Sequence, residues 1–408
     1  MTRSLLAATA FALACGAAAA GPLRAAGPLL FTDADTLVVA DWRAQELHAL
    51  RLPPAPAAAA RPFNLRNVAG PVAAALHVRP DQVRFEDMAF RPGAETAWLA
   101  LSVDRGGAVP APALVSVDSA GKVTVIRTEK LPQTTARITN PPAGDKRLWR
   151  DTPEATLTVT DLAFHDGKLY VAGLADGDFA STLRIYDFPF DAKMTSTSVE
   201  MYHPVHDQLE TRAPIRKMAV VTLDGEPSLV AAYTCTPLVV VPLKALVDGA
   251  HVKATTIAEL GWGSAPVDMV AFDTPQGPQL LLANSAKSAD LMALSAVAAA
   301  AKQPSLSTPI QVPASPLEGL KSTYLPLTGL AQMSLQDTQF IGALRREPAT
   351  GAMQLVSFRV GAFLRVSDFV NEYDFDDFRY RDGDPFRDAH AVMRTDEGYP
   401  ELARRAAP

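Results

Sequence analysis

Cysteine is nearly absent from this chain: 408 residues hold only Cys15 and Cys235. Once the leader described below is removed a single thiol is left, which excludes an internal disulfide, so core burial and sheet closure must hold the fold. Past the leader no apolar run approaches the ~20 residues that a membrane helix needs; the longest candidate, residues 291–301, is short and alanine-rich. The formal charge of −6 is spread without long blocks of one sign, which argues against a nucleic-acid footprint and against a polybasic lipid-binding stretch. The chain also has no Gly-x-Ser-x-Gly elbow, phosphate-binding glycine loop, Cys-x-x-Cys pair or haem-attachment motif, and several enzyme classes go with them.

Proline, by contrast, is plentiful. Thirty-three prolines are scattered along the whole length, and each removes a helical hydrogen bond, so long helices are excluded nearly everywhere. Hydrophobic residues at 48% supply a core, and 20% charged residues argue against wholesale disorder.

The first residues read as a secretory leader. Arg3 supplies the positive region, residues 5–14 an apolar stretch too short to span a bilayer, and Ala18-Ala19-Ala20 or the Ala25-Ala26 region the small residues of a cleavage site. The boundary is set at residues 1–26, and the expected location is periplasmic or secreted. Ala12-Leu13-Ala14-Cys15 is a poor match to a lipoprotein box; if used, it would acylate Cys15 and tether the protein.

The remainder, residues 27–370, repeats one phrase: a short apolar strand, a tight turn, a second strand, a turn, a third strand. Asp87-Met88-Ala89-Phe90 leads through Pro92-Gly93 to Trp98-Leu99-Ala100-Leu101. Asp161-Leu162-Ala163-Phe164 leads through Asp166-Gly167 to Leu169-Tyr170-Val171-Ala172. Further copies start at Lys217-Met218, Asp268-Met269 and Gly329-Leu330, and Leu29-Leu30-Phe31 opens a sixth. Asp-Gly between apolar strands is a strong hairpin signal, because the tight turn needs positive φ. Second strands apolar on both alternations fit sheets packed on both faces. Taking Leu30, Met88, Leu162, Met218, Met269 and Leu330 as equivalent points, the units are 51 to 74 residues apart, and the longest interval holds a polar, proline-bearing insertion at residues 128–153. The pattern predicts an all-β β-propeller of six or seven blades, each an antiparallel four-stranded meander.

On this pattern the chain resembles the secreted seven-bladed propellers with degenerate repeats of the YVTN and WD-like superfamily. The resemblance covers roughly residues 29–370. It lies in strand order, since no Trp-Asp or Gly-His blade signature is present.

Strand order sorts the loops. First-to-second turns are short and plain; second-to-third turns and blade connections, on the opposite face, are chemically richer and are the expected binding face. There lie Asp176 and Asp178, Cys235, and the connection carrying His203, His206, Asp207, Glu210, Arg212 and Arg216. His203, His206 and Glu210 are the types that bind a divalent metal or share protons, but on a proline-flanked loop their spacing does not make them converge, and the plainer reading is a solvated connection. Arg212 and Arg216 suit a carboxylate or phosphate, or else pair with Asp87, Asp161 or Asp268. Cys235 reads as a small buried apolar residue, with a reactive thiol as the alternative. In the acidic-aromatic tail, residues 371–408, Asp382-Gly383-Asp384 is a fragment of a calcium loop; the plainer expectation is a tail that packs its aromatics on the rim. The functional expectation is a non-catalytic platform for a protein partner or a small molecule. The alternative is a propeller enzyme or enzyme subunit, resembling a lactonase or the heavy chain of periplasmic amine dehydrogenases.

Overall fold

The computed structural model describes residues 21–58, 61–191, 193–261, 263–311, 318–347, 350–365 and 372–397. Residues 1–20, which hold Cys15 and most of the expected leader, lie outside them. Six antiparallel sheets of four or more strands form six blades, which settles the blade count at six among the described residues. The innermost strands, in chain order, are Leu29–Asp33, Val83–Phe90, Asp161–His165, Ile215–Leu223, Pro266–Thr274 and Leu330–Leu335. They define blades 1 to 6. Helices are short, as the prolines require: Ala69–Ala75, Leu294–Ala301 and Phe386–Asp396.

The local rules are obeyed where the sequence is explicit. Asp166 and Gly167 have φ of 47° and 70°, and Asp224 and Gly225 have 49° and 84°, the two successive left-handed residues of a type I′ hairpin. Every residue of the second strand of blade 1, Thr36–Asp41, is buried, as a strand covered on both faces must be.

The order around the ring is not the order of the chain. Six apolar clusters fill the gaps between blades. They join blade 1 to 2 (Leu37, Trp98), 2 to 6 (Phe90, Leu344), 6 to 5 (Ile341, Leu281), 5 to 4 (Leu282, Val240), 4 to 3 (Leu229, Leu183) and 3 to 1 (Val171, Leu47). The ring therefore runs 1–2–6–5–4–3. Two outer strands are borrowed to build it. Asn64–Leu65, between blades 1 and 2 in sequence, forms the outer edge of blade 6. Gln133–Arg137, from the insertion between blades 2 and 3, completes blade 1. The ring is thereby laced shut twice by pairing between segments remote in sequence, at the outer edges of blades 6 and 1.

Met88, Leu162, Met218 and Met269 occupy matching places on the central strands, as the repeat predicts. The other two equivalent points shift. Leu29, Met218 and Met333 make the same amide contact to a neighbouring aspartate, so Leu29 and Met333, rather than Leu30 and Leu330, are the matching residues. The same β-bulge precedes Asp87, Lys217, Asp268 and Gln332, which sets Met333 in the place of Met88, Met218 and Met269.

In the tail, Tyr373, Phe378, Tyr380 and Phe386 cluster around His390, and Arg359, on the third strand of blade 6, pairs with Asp396. Asp384 accepts the Phe386 amide at 2.9 Å.

Candidate functional site

The axis of the ring is closed at mid-height by four charged residues. Lys217 Nζ lies 3.3 Å from Asp161 Oδ1, 3.5 Å from Asp268 Oδ1 and 3.8 Å from Asp87 Oδ1. Each aspartate turns its other oxygen to an amide of the next blade: Asp87 accepts from Leu29 at 2.7 Å, Asp161 from Met218 at 2.7 Å and Asp268 from Met333 at 2.6 Å. In ring order the carboxylates stand on alternate blades, 2, 5 and 3, so the six blades form three pairs around one ammonium. Burial pushes the Asp161 carboxyl up to about 6 and the Asp268 carboxyl to about 7, with Lys217 opposing the rise; Asp87 is raised for the same reason. Burial works against charged Lys217 too, but its three carboxylates outweigh this and hold it protonated.

This floor separates two cavities. The one toward the plain turns is about 270 Å3, with Phe31, Phe90, Met269 and Leu335 in its wall and the Lys217 cluster at its base. The one toward the rich face is about 240 Å3, a funnel walled by Trp42, Arg84, Glu86, Thr156, Arg216 and Gln332. Arg84 donates to Glu86 at 2.7 Å. Arg216 is half-buried and has no hydrogen-bond acceptor or ion-pair partner among the described residues; burial lowers its basicity, and Asp161 partly restores it. Of the two readings of the loop arginines, pairing with the channel aspartates is not what the structure shows, since Lys217 takes that place. A bulge between Ile215 and Lys217 puts Lys217, not Arg216, in register with the aspartates, and Arg212 points outward to Glu154 at 3.8 Å. Asp176 pairs with Lys146 in the same outer group, and the Asp178 carbonyl accepts the Thr211 hydroxyl at 2.8 Å. Of the candidates named from sequence, Arg216 alone lines the funnel.

A second locus lies between blades 3 and 4. The segment expected to be a non-converging loop is a hairpin: Met194–His203, the fourth strand of blade 3, turns at residues 204–207 and returns as Gln208–Glu210. Glu210 stands opposite Met201. Since His203 is two residues on from Met201, its side chain leaves the same face and meets Glu210 diagonally. His203 Nδ1 is 2.9 Å from Glu210 Oε1, His206 Nδ1 bonds the same oxygen, and the two imidazole centroids are 4.0 Å apart.

His203 is fully buried, and its Nε2 lies 3.7 Å from Oε2 of Glu259, itself 1% exposed. The Thr236 hydroxyl and the Gly261 amide lie beside Glu259 without reaching strict hydrogen-bond geometry, and burial raises its carboxyl against their effect and that of His203. Burial alone would lower His203; the Cys235 thiol and Glu210 beside it reverse this and bring it to about 9. Burial would raise Glu210, but His203 and His206 bring it to about 2. Cys235, at the turn after the second strand of blade 4, is partly exposed and strained at φ 76°. Sequence reasoning missed Lys217 and Glu259. The available signal for Glu259 was a lone acid at the end of the otherwise uncharged strand Thr255–Glu259, where a buried carboxylate needs a partner.

No family model matches the chain, and no curated protein matches it. Among solved structures, a chain of the crystal structure of the mitotic checkpoint complex aligns at 9% identity and a TM-score of 0.32, covering 88% of this chain and 99% of that one. Raptor from Chaetomium thermophilum aligns at 12% identity and a TM-score of 0.31, over 83% of this chain; the match spans 29% of that much longer protein.

Proposed function

We propose that this chain is an exported propeller whose rich face is a binding platform, and that the funnel above Lys217 receives the carboxylate or phosphate group of a small ligand. The observation that carries this reading is Arg216, a half-buried guanidinium in the funnel wall with no acceptor among the described residues. A buried cation without a partner is costly, and a planar donor fork is suited to a bidentate oxyanion. On the floor the Lys217 charge is already met by Asp87, Asp161 and Asp268, so Arg216 is the cation left for an anion, and Glu86 in the wall opposes a second negative group. The volume is below the ~300–1,000 Å3 usual for drug-sized ligands. That restricts the occupant to a small molecule or to one protruding group of a larger one.

Export rests on the leader of residues 1–26. Leu23 and Ala26 pack among the apolar residues joining blades 1 and 2, and the Arg24 and Ala25 amides bond Asp41. Cleavage at Ala18-Ala19-Ala20 keeps those contacts, whereas cleavage after Ala26 removes them. No helix among the described residues is long and apolar enough to cross a membrane.

Calorimetric titration of the mature protein with succinate, citrate and inorganic phosphate tests the funnel. At least one anion is expected to bind, and Arg216→Ala to weaken it by about tenfold or more, the scale of a lost charge-assisted hydrogen bond. Failure of all three to bind, or unchanged affinity in Arg216→Ala, refutes the assignment.

A further inference from the structure

We propose that His203, His206 and Glu210 form a binding site for one divalent transition-metal ion, Zn2+ above all, with Glu259 as the carboxylate that orients His203. The site is separate from the funnel, whose wall contains none of these residues.

Three observations meet here. The first is convergence: one ligand atom from each of the three side chains lies within 4.8 Å of the others, and the hairpin register produces this without strain in the strands. Two imidazole nitrogens and a carboxylate oxygen make a donor set for zinc, copper or nickel rather than for calcium or magnesium, which take oxygen ligands. The second is the rear of His203. A metal-bound imidazole commonly gives its other N–H to a carboxylate, which fixes ring and tautomer. His203 Nε2 faces Glu259 Oε2 at 3.7 Å and both groups are buried; the Cys235 thiol beside His203 and the Thr236 hydroxyl and Gly261 amide beside Glu259 complete the surroundings without a hydrogen bond of strict geometry to either atom. The third is charge. Glu210 brings a carboxylate to a site whose imidazoles are neutral when they act as ligands, so a cation bound there meets an opposite charge; Glu259, whose carboxyl burial raises, adds an acceptor behind His203 rather than a second full charge.

The surrounding groups fit this assignment. Asp207 is tied to the Tyr202 hydroxyl at 2.7 Å and so is not needed as a ligand. His206 is 46% exposed, which opens the site to solvent and leaves a fourth position for water. Three protein ligands with an open position bind an exchangeable ion, not a closed structural one.

The test uses the full mature chain, stripped with chelator and titrated with Zn2+ by calorimetry, then with Co2+ followed by its visible ligand-field bands. One equivalent of Zn2+ and the intense bands of a four-coordinate Co2+ site are expected. His206→Ala, on the exposed side of the site, should weaken Zn2+ at least tenfold while the metal-free melting temperature stays close to the parent's. Glu259→Gln should keep the stoichiometry but weaken binding about 10–100-fold, the usual effect of losing an outer carboxylate. His251→Ala, which removes a histidine paired elsewhere with Glu200, should bind as the parent does. The proposal is overturned if the stripped parent takes up no Zn2+, if His206→Ala binds as tightly as the parent, or if His251→Ala is the variant that loses the ion. In those cases the two imidazoles share protons with Glu210 and hold no metal.

Discussion

Replacing Lys217 with methionine is expected to destabilise the protein by about 3–5 kcal/mol at pH 8, the cost of leaving buried charges without their partner, and by clearly less at pH 5. Lys217 is the one cation among three carboxylates that are 5 to 8% exposed. Without it, three like charges remain around the axis, and the amides of Leu29, Met218 and Met333 offset them only in part. The direction with pH follows from the carboxyls. Asp161 and Asp268 titrate at about 6 and about 7 in the folded protein, above their unfolded value of 3.8. A group raised on folding contributes stability that is fully present below its unfolded pKa and is lost as the pH rises through its folded one. The parent therefore loses stability between about pH 4 and pH 7, and removing Lys217 deepens that loss. Urea melts of both proteins at pH 5 and pH 8 decide the matter. Equal destabilisation at both values contradicts the ion cluster, and so does a methionine variant as stable as the parent. Changing Asp87, Asp161 and Asp268 together to asparagine should make Lys217→Met far milder, because the side-chain amides keep an acceptor for each backbone N–H.

Gly342→Ala is expected to cost about 3 kcal/mol, at the upper end of overpacking penalties. Gly342 lies on the second strand of blade 6, and a Cβ there falls 2.1 Å from the Phe90 ring of blade 2. Phe90→Leu should recover at least about 1 kcal/mol of that loss in the double variant, since contacting residues couple by roughly 0.5–3 kcal/mol. Gly173→Ala is the comparison. Its Cβ meets the Thr158 backbone oxygen at 2.1 Å, so no single side-chain truncation relieves it. Strictly additive losses for Gly342→Ala and Phe90→Leu in denaturant melts mean that blades 2 and 6 are not neighbours.

The blades were legible in the sequence because each is local. Asp166-Gly167 and Asp224-Gly225 dictate left-handed turns, and doubly apolar second strands dictate burial. The ring order was not legible, since repeats show what the units are and not which ones touch. Its evidence lies in Asn64–Leu65, a two-residue edge strand, and in Gln133–Arg137, polar enough to read as part of an insertion. Bulges hid the axial register: a one-residue slip exchanges Arg216 for Lys217 as the group facing the axis. Pro204 made the metal-type cluster look like a loop, although the pairing of Met201 with Glu210 closes it into a hairpin. Glu259 carried too little signal, as one acid in an otherwise uncharged strand shows its meaning only when its neighbours across the blade gap are known.

Both the axial cluster and the funnel depend on which blades adjoin, so the sharpest measurement is a contact map across the gap of blade 2. A diazirine-bearing leucine analogue at position 344 sits in the apolar cluster with Met88, Phe90, Leu99 and Leu101. After irradiation, peptide mass spectrometry is expected to find position 344 joined to residues 83–103 of blade 2. Capture instead of residues 29–51, the blade 1 neighbour that a ring in chain order gives to blade 6, would contradict the arrangement.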